Sequence, residues 1–220
     1  MEDVLDLYES EYEERNPVIC VDEKPYQLLD NKIEPIPMNP EKAGKPKKDK
    51  NELNIKKEDY EYVREGTCNI FMISEPFNDF REVKVTERRT KEDFAEILKD
   101  LSDKYYPDAN IIRLVMDNLN THKLSILYEF YPPEEARRII KRFEVHYTPV
   151  HGSWLNIAEI ELSVMSKQCT NRRIPNMEML KKELSAWKTE RNNDEIGVNW
   201  RFRTKDARII LKRLYPTKFA

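Results

Sequence analysis

A mixed α/β sheet, opening with an antiparallel meander and covered by helices on both faces, is the architecture that this 220-residue sequence predicts. Three features carry that reading. Segments of strand character follow one another between Pro17 and Thr86, with turn residues between them. The run Ile111-Ile-Arg-Leu-Val-Met116 is apolar enough for burial on both faces, and beyond Thr90 helical and strand patterns alternate.

In chain order, residues 3–15 read as a short acidic helix, and Pro17 to Glu23 as a strand ending in two carboxylates, Asp22 and Glu23. Residues 30–58, rich in proline and basic from Lys42 to Lys57, show no periodicity and read as a flexible surface loop. Tyr60 to Val63 and Thr67 to Ile73 around Gly66, then Phe80 to Thr86 after a turn at Pro76-Phe-Asn-Asp79, read as antiparallel strands. Thr90 caps a helix, with Asp93 at its third position and Phe94, Ile97, Leu98, Leu101 and Tyr105 along one face. A strand at 111–117 follows. Pro132-Pro133-Glu134-Glu135 then opens a helix with acids in its first turn and bases in its last, and Phe143 to Thr148 is a further short strand. The last well-marked helix follows Asn156. No repeat is visible, and the length suits one core, so residues 1–220 read as a single domain.

Composition excludes several classes. Charged residues are 36% and hydrophobic ones 39%, mean hydropathy is -0.80, and no apolar stretch approaches the roughly 20 residues that span a bilayer. The first twenty residues are acidic and lack the pattern of a secretory signal. Cys20, Cys68 and Cys169 are odd in number and widely spaced, which suggests neither a disulfide framework nor a Cys-x-x-Cys metal site. A soluble, cytoplasmic protein is the expectation. The formal charge of -3 hides an asymmetry: residues 137–220 carry +9 and residues 1–136 carry -12. Basic surface attracts phosphate backbones, and Arg172-Arg173 with Arg201, Arg203, Lys205, Arg208, Lys212 and Arg213 are the candidates; solvated helix faces give the same pattern.

Chemistry concentrates in two places. The 111–116 strand ends in Asp117-Asn118-Leu-Asn120-Thr121-His122, and Gly152-Ser-Trp-Leu-Asn156-Ile-Ala-Glu159 opens a helix. A carboxylate at the end of a central strand, with a second on the first turn of a helix, is a common construction for metal-dependent phosphoryl transfer. The helix stripe is Ala158, Leu162, Met165 and Cys169, and at about 100° per residue Glu159 and Glu161 fall on opposite flanks of it. Only one can face the site, and periodicity does not choose. Glu159 shares its flank with Ser163 and Ser166, but Asn156-x-x-Glu159 also reads as a capping box.

Three ordered blocks, Val18-Ile-Cys-Val-Asp22-Glu23-Lys-Pro25, Val115-Met-Asp117-Asn118-Leu-Asn120-Thr121-His122 and His151-Gly-Ser-Trp-Leu-Asn156-Ile-Ala-Glu159, resemble the signature blocks of the bacterial insertion-sequence 630 transposases, relatives of the mariner transposases. Arg88-Arg89-Thr90-Lys91 and Trp200-Arg-Phe202 through Arg208 extend the similarity over nearly the whole chain. The resemblance implies a ribonuclease-H-like catalytic domain whose Asp-Asp-Glu triad is Asp22, Asp117 and Glu159, with 41 residues between the last two; it selects Glu159 over Glu161. It further implies two bound Mg²⁺ or Mn²⁺ ions, cleavage and strand transfer at transposon ends, a preference for TA target sites, double-stranded DNA as partner, and a homodimer or a complex with full-length transposase. DNA contacts are expected at His122, Lys123, Arg172 and Arg173.

Other residues read more modestly. His122 suits either contact with the scissile phosphate or ordering of its loop, and His122, His146 and His151 are too scattered for a zinc site. Trp154 is expected to pack the Glu159 helix, Trp187 and Trp200 to lie in the core of the C-terminal segment, and Asn118 and Asn120 to hold their loop by side-chain hydrogen bonds. Transposases of this kind carry helix-turn-helix modules upstream, and none is legible here, so a catalytic fragment or the product of a decayed reading frame is expected. The alternative is a catalytically silent, dimerising regulatory module.

Overall fold

Alternation along the first strand decides the layers. In the computed structural model, which describes residues 1–33, 35, 59–118, 123–150 and 152–215, strand β1 (Val18–Asn31) sends Val18 and Cys20 to one apolar cluster and Ile19 and Val21 to another on the opposite face. Around it the sheet has the order β3-β2-β1-β4-β5, with β2 (Tyr62–Glu75), β3 (Phe80–Thr86), β4 (Ile112–Met116) and β5 (Phe143–Tyr147). β1, β2 and β3 pair antiparallel, β4 pairs parallel to β1, and β5 pairs parallel to β4. This is the ribonuclease-H-like mixed sheet.

Helices cover both faces. On the Val18 and Cys20 side lie α1 (Glu2–Glu9), α5 (Ile157–Gln168), α6 (Met177–Asn193) and α7 (Thr204–Ile210), through Leu5, Ala158, Met165, Leu184 and Ala207. On the other side lie α2 (Lys91–Asp100), α3 (Leu127–Phe130) and α4 (Pro133–Ile140), through Phe94, Leu98, Leu127 and Ile139. The capping box foreseen at Thr90 and Asp93 opens α2, with the Thr90 N–H donating to Asp93 Oδ2 at 2.8 Å and the Asp93 N–H to Thr90 Oγ1 at 3.1 Å. Cys20, Cys68 and Cys169 are free and buried. No helix among the described residues is long and apolar enough to cross a membrane.

Several elements differ from the sequence reading. β1 does not stop at Glu23 but runs through Pro25 to Asn31. β4 pairs only with Val18–Cys20, so beyond Cys20 one side of β1 carries no ladder, and a residue without an N–H is tolerated there. β2 is unbroken through Gly66, whose φ of 106° suits glycine and lies near the register shift between Gln27 and Leu29. α1 ends at Glu9 because residues 11–15 are all exposed, and Ser10 turns extended with its Oγ donating to the Leu7 carbonyl at 2.7 Å. The expected loop at 30–58 lies outside the described residues apart from its first few, where Asp30 and Asn31 complete β1.

Two attachments position the helices near the sheet's centre. Asn156 caps α5 by accepting the Ala158 N–H at 3.2 Å and donates its Nδ2 to the Val21 carbonyl of β1 at 2.8 Å. At the far end of the chain, α7 sits on the acids of α1: Thr204 donates to Glu9 and Asp6, and Arg208 makes two bonds to Glu2 at 2.8 and 2.9 Å.

Asn156→Ala is expected to lower stability by about 1–2 kcal/mol, since it removes a cap and orphans the Val21 carbonyl; a urea midpoint equal to that of the parent chain would refute the anchor. The Arg208 and Tyr215 hydrogen bonds hold the Glu2 carboxyl down at about 2. A depressed carboxyl stabilises the fold above its ordinary range and loses that contribution as pH falls through its folded value. The α1–α7 contact should therefore loosen selectively as pH drops from about 4.5 towards 2. Limited proteolysis near α7 by an acid protease should show this, and Glu2→Gln should remove the pH dependence.

Candidate active site

Parallel pairing sets the geometry. Val18, Ile19 and Cys20 face Arg113, Leu114 and Val115 across the β1–β4 ladder, and Asp22 and Asp117 each lie two residues beyond its last pair. The pleat then decides direction. Asp22 falls on the face of Val18 and Cys20, and Asp117 on the face of Val115, which are the same face. Glu23 points the other way, where its Oε1 accepts from Arg89 Nη1 at 2.7 Å.

That shared face is the one α5 covers, and α5 carries both candidate acids. Glu161 is 1% exposed and is held by two arginines: Arg81 Nε lies 3.1 Å from Oε2, and Arg191 Nη2 donates to both oxygens at 3.1 and 3.2 Å. Glu159, on the opposite flank, is exposed. The capping-box alternative for Glu159 does not form, because the Asn156 N–H that it would accept already donates to the Ser153 carbonyl at 2.7 Å. Glu161 is thus committed to a buried ion pair, and Glu159 is the α5 acid exposed on the flank away from it.

Electrostatics connects the three acids. The Asp22 carboxyl is pushed up to about 6, by burial first and then by the like charges of Glu23, Asp117 and Glu159, against a backbone hydrogen bond from Glu23 that favours ionisation. Among the described residues no group of three or more His, Cys, Asp or Glu side chains is arranged to hold a metal ion. The donor chemistry nonetheless suits a hard divalent cation, since the set is all carboxylate oxygen and the charges of Asp117 and Glu159 disfavour ionisation at Asp22. Hollows of ≈ 650 and ≈ 690 Å³ lie elsewhere, one along Lys182 to Asp194 and one around Tyr12, Glu75 and Tyr106.

The expected DNA-contacting residues are distributed differently. His122, with Asn120, Thr121 and His151, lies outside the described residues, whereas Lys123 is exposed at the start of the turn Leu124–Ile126. Arg172 is exposed and ion-paired with Glu183. Arg173 is engaged within the chain, donating to Asn31 Oδ1 and the Glu61 carbonyl at 2.9 Å and to the Asp59 carbonyl at 2.5 Å, with Tyr62 beneath it. Trp187 is buried as expected, and Trp200 packs on the same core. Trp154, 39% exposed, stacks on Trp200 and meets Phe202 edge-on, so it ties the start of α5 to the C-terminal segment. His146 Nδ1 is 2.9 Å from Asp3 Oδ2.

Sequence reasoning passed over two features. Lys24 shares the Asp22 face by strand alternation, and its Nζ donates to Ser166 Oγ on α5 at 2.7 Å; period-two spacing from Asp22 was the available signal. The pairing of Glu161 with Arg81 and Arg191 had no local signal, because its members lie 80 and 30 residues apart.

Among solved structures the chain is similar to the "Mos1 transposase paired-end complex with left transposon end" at 13% identity and a TM-score of 0.53, over 89% of this chain and 56% of that one. It is also similar to the "Mos1 Strand Transfer Complex" at 12% identity and a TM-score of 0.46, over 87% and 54%. The chain thus spans little more than half the length of these structures, and at such identity the first of them bears on the fold alone. No curated protein matches. Residues 17–181, which run from the start of β1 into α6 and include Asp22, Asp117 and Glu159, match the DDE superfamily endonuclease family, and the chain belongs to that family.

Proposed function

We propose that this chain is the catalytic domain of an insertion-sequence 630-type transposase, cutting DNA phosphodiesters and joining the freed ends to target DNA, with Asp22, Asp117 and Glu159 as its metal-holding acids. The observation that supports the reading is that like charge from Asp117 and Glu159 reaches Asp22, on the sheet face that α5 covers. Mg²⁺ or Mn²⁺, as two ions held by these carboxylates, would supply the Lewis acidity that activates an attacking water and steadies a leaving 3′ oxygen.

The remaining chemistry belongs to the side chains. Asp117 follows directly on β4 and Asp22 lies in β1, each two residues beyond the last facing pair of the ladder, so the sheet brings the two acids to the same end of adjacent parallel strands. Glu159 arrives on a helix whose N-terminus is fixed to the Val21 carbonyl through Asn156. In the cutting step the water oxygen bonds to phosphorus while the bond from phosphorus to the 3′ oxygen breaks, and that oxygen takes up a proton. In the joining step the new 3′ oxygen bonds to a phosphorus of target DNA while the bond from that phosphorus to its own 3′ oxygen breaks, and the released 3′ oxygen takes up the proton that the attacking hydroxyl loses; a TA site is the proposed target preference. Lys24, held along α5 by Ser166, stands beside Asp22 as a cation for a neighbouring backbone phosphate. Lys123, exposed six residues beyond Asp117, and Arg172, the exposed member of its pair, are further proposed phosphate contacts, with His122 proposed from the sequence alone. Double-stranded DNA is the proposed substrate, and a homodimer the proposed working form, because paired ends need two active sites.

Plasmid nicking in Mn²⁺ tests the triad. Asp22→Asn, Asp117→Asn and Glu159→Gln should each lower the rate at least about a hundredfold with the fold intact by circular dichroism, and chelation followed by Mn²⁺ should abolish and restore the parent activity. Nicking that survives Asp117→Asn would sink the assignment. A parent chain that binds DNA yet nicks in neither metal would favour the silent, dimerising regulator instead. Lys24→Ala should leave nicking at saturating DNA nearly unchanged while weakening DNA binding, and should reduce the slope of log affinity against log salt by about 1; an unchanged slope would remove Lys24 from the interface.

A further inference from the structure

The α5 acid that is turned away from the site is among the most enclosed charges in the molecule. Glu161 and Arg81 are each 1% exposed, and Arg191 is buried beside them with its guanidinium 5.4 Å from the centre of the Trp187 ring. Asn192 closes the network: its Oδ1 accepts the Arg81 N–H and Nη1 at 3.1 Å each, and its Nδ2 donates to the Arg81 carbonyl at 2.9 Å. Arg81 Nη2 also donates to the Ile196 carbonyl. One carboxylate on α5 is thereby pinned to β3 and α6 together.

Buried ion pairs of this kind are weak sources of stability, because desolvation offsets much of their attraction, and their best-attested use is to specify one arrangement over others. α5 needs such a device. Beside the buried stripe of Ala158, Leu162 and Met165, the buried Ile157 and the half-buried Ile160 and Val164 extend its apolar side over more than half the circumference, so apolar packing alone defines its rotation loosely. Glu159 and Glu161 are about 200° apart around the axis, and a helix turned to satisfy one is turned to present the other. A slip of one residue would turn the helix by about 100° and carry Glu159 off the face of Asp22 and Asp117.

We infer that Arg81, Glu161 and Arg191 are positioning residues: they fix the rotation of α5 and so place Glu159 opposite the two aspartates. The inference rests on the reading of Glu159 as the third acid of the site. It assigns Glu161 no contact with DNA or metal.

The test uses the full chain in two forms. Glu161→Gln keeps the shape of the side chain and removes its charge. The triple variant Arg81→Met, Glu161→Leu, Arg191→Leu removes all three charges of this network, so it is expected to fold with a melting temperature at or above that of the parent. In both, kcat for nicking should fall about tenfold or more with KM for DNA within about twofold, and Mn²⁺ affinity read by electron paramagnetic resonance should weaken about fivefold or more. In a Glu159→Gln background neither change should cause further loss, because both act through Glu159. A well-folded triple variant with parental kcat and Mn²⁺ affinity would overturn the inference, as would losses that remain additive in the Glu159→Gln background. Glu159→Gln with parental nicking and Mn²⁺ binding would overturn the reading of Glu159 itself, a result distinct from the others because it needs no change at Glu161.

Discussion

Parallel pairing between β1 and β4 is the constraint on which the rest of the molecule depends. It rests on three facing pairs, Val18 with Arg113, Ile19 with Leu114 and Cys20 with Val115, and it joins segments that a tight turn could never connect. The intervening chain first extends the sheet on the far side of β1 as β2 and β3, then returns across one face as α2 before entering β4. Because side chains alternate, the same register puts Asp22 and Asp117 on one face. A slip of one residue in either strand would turn its acid to the other face and expose part of the apolar core with it. The register that buries Ile19, Val21, Leu114 and Met116 against α2 and α4 is therefore also the register on which the proposed site depends.

Gathering acids on that face has a cost, visible at Asp22. Its carboxyl is raised because burial and neighbouring negative charge both disfavour ionisation, so at neutral pH the ionised form weakens the folded state relative to the unfolded one. Adjacent groups limit the strain in different ways. Glu23 is directed away by the pleat and paired with Arg89, and Glu161 is directed away by the helix and paired with Arg81 and Arg191. The two acids nearest in sequence to the proposed ligands are thus both turned from the face and matched with arginine.

What could be read in advance follows the range of the interactions involved. The helix start at Thr90, the strand at 111–116 and the stripe of Ala158, Leu162, Met165 and Cys169 depend on neighbours within a few residues, and each appears in the fold. Glu159 against Glu161 was undecided by periodicity, since the partners that separate them, Arg81 and Arg191, come from β3 and α6. The continuation of β1 past Glu23 was equally hidden, because its permissive edge exists only once β4 has stopped pairing at Cys20. Arg173 read as a free cation, yet its acceptors are Asn31, Glu61 and Asp59, on the facing ends of the β1–β2 ribbon.

The charge asymmetry changes meaning in the same way. A basic C-terminal part and an acidic N-terminal part suggest a surface awaiting phosphate, but much of that charge is matched within the chain. Arg208 meets Glu2, Lys188 meets Glu82, Arg138 meets Asp103 and Arg191 meets Glu161, the first three joining a base of the C-terminal part to an acid of the N-terminal part. Exposed pairs of this sort add little stability each, about 0–1 kcal/mol, but they set which helix lies on which, as α7 on α1 illustrates. A count of bases along a chain therefore overstates the field that DNA would meet. Position relative to the acids is the better guide, and by that measure Lys24, one pleat repeat from Asp22 and tied to α5, is better placed than the arginine pair at 172–173.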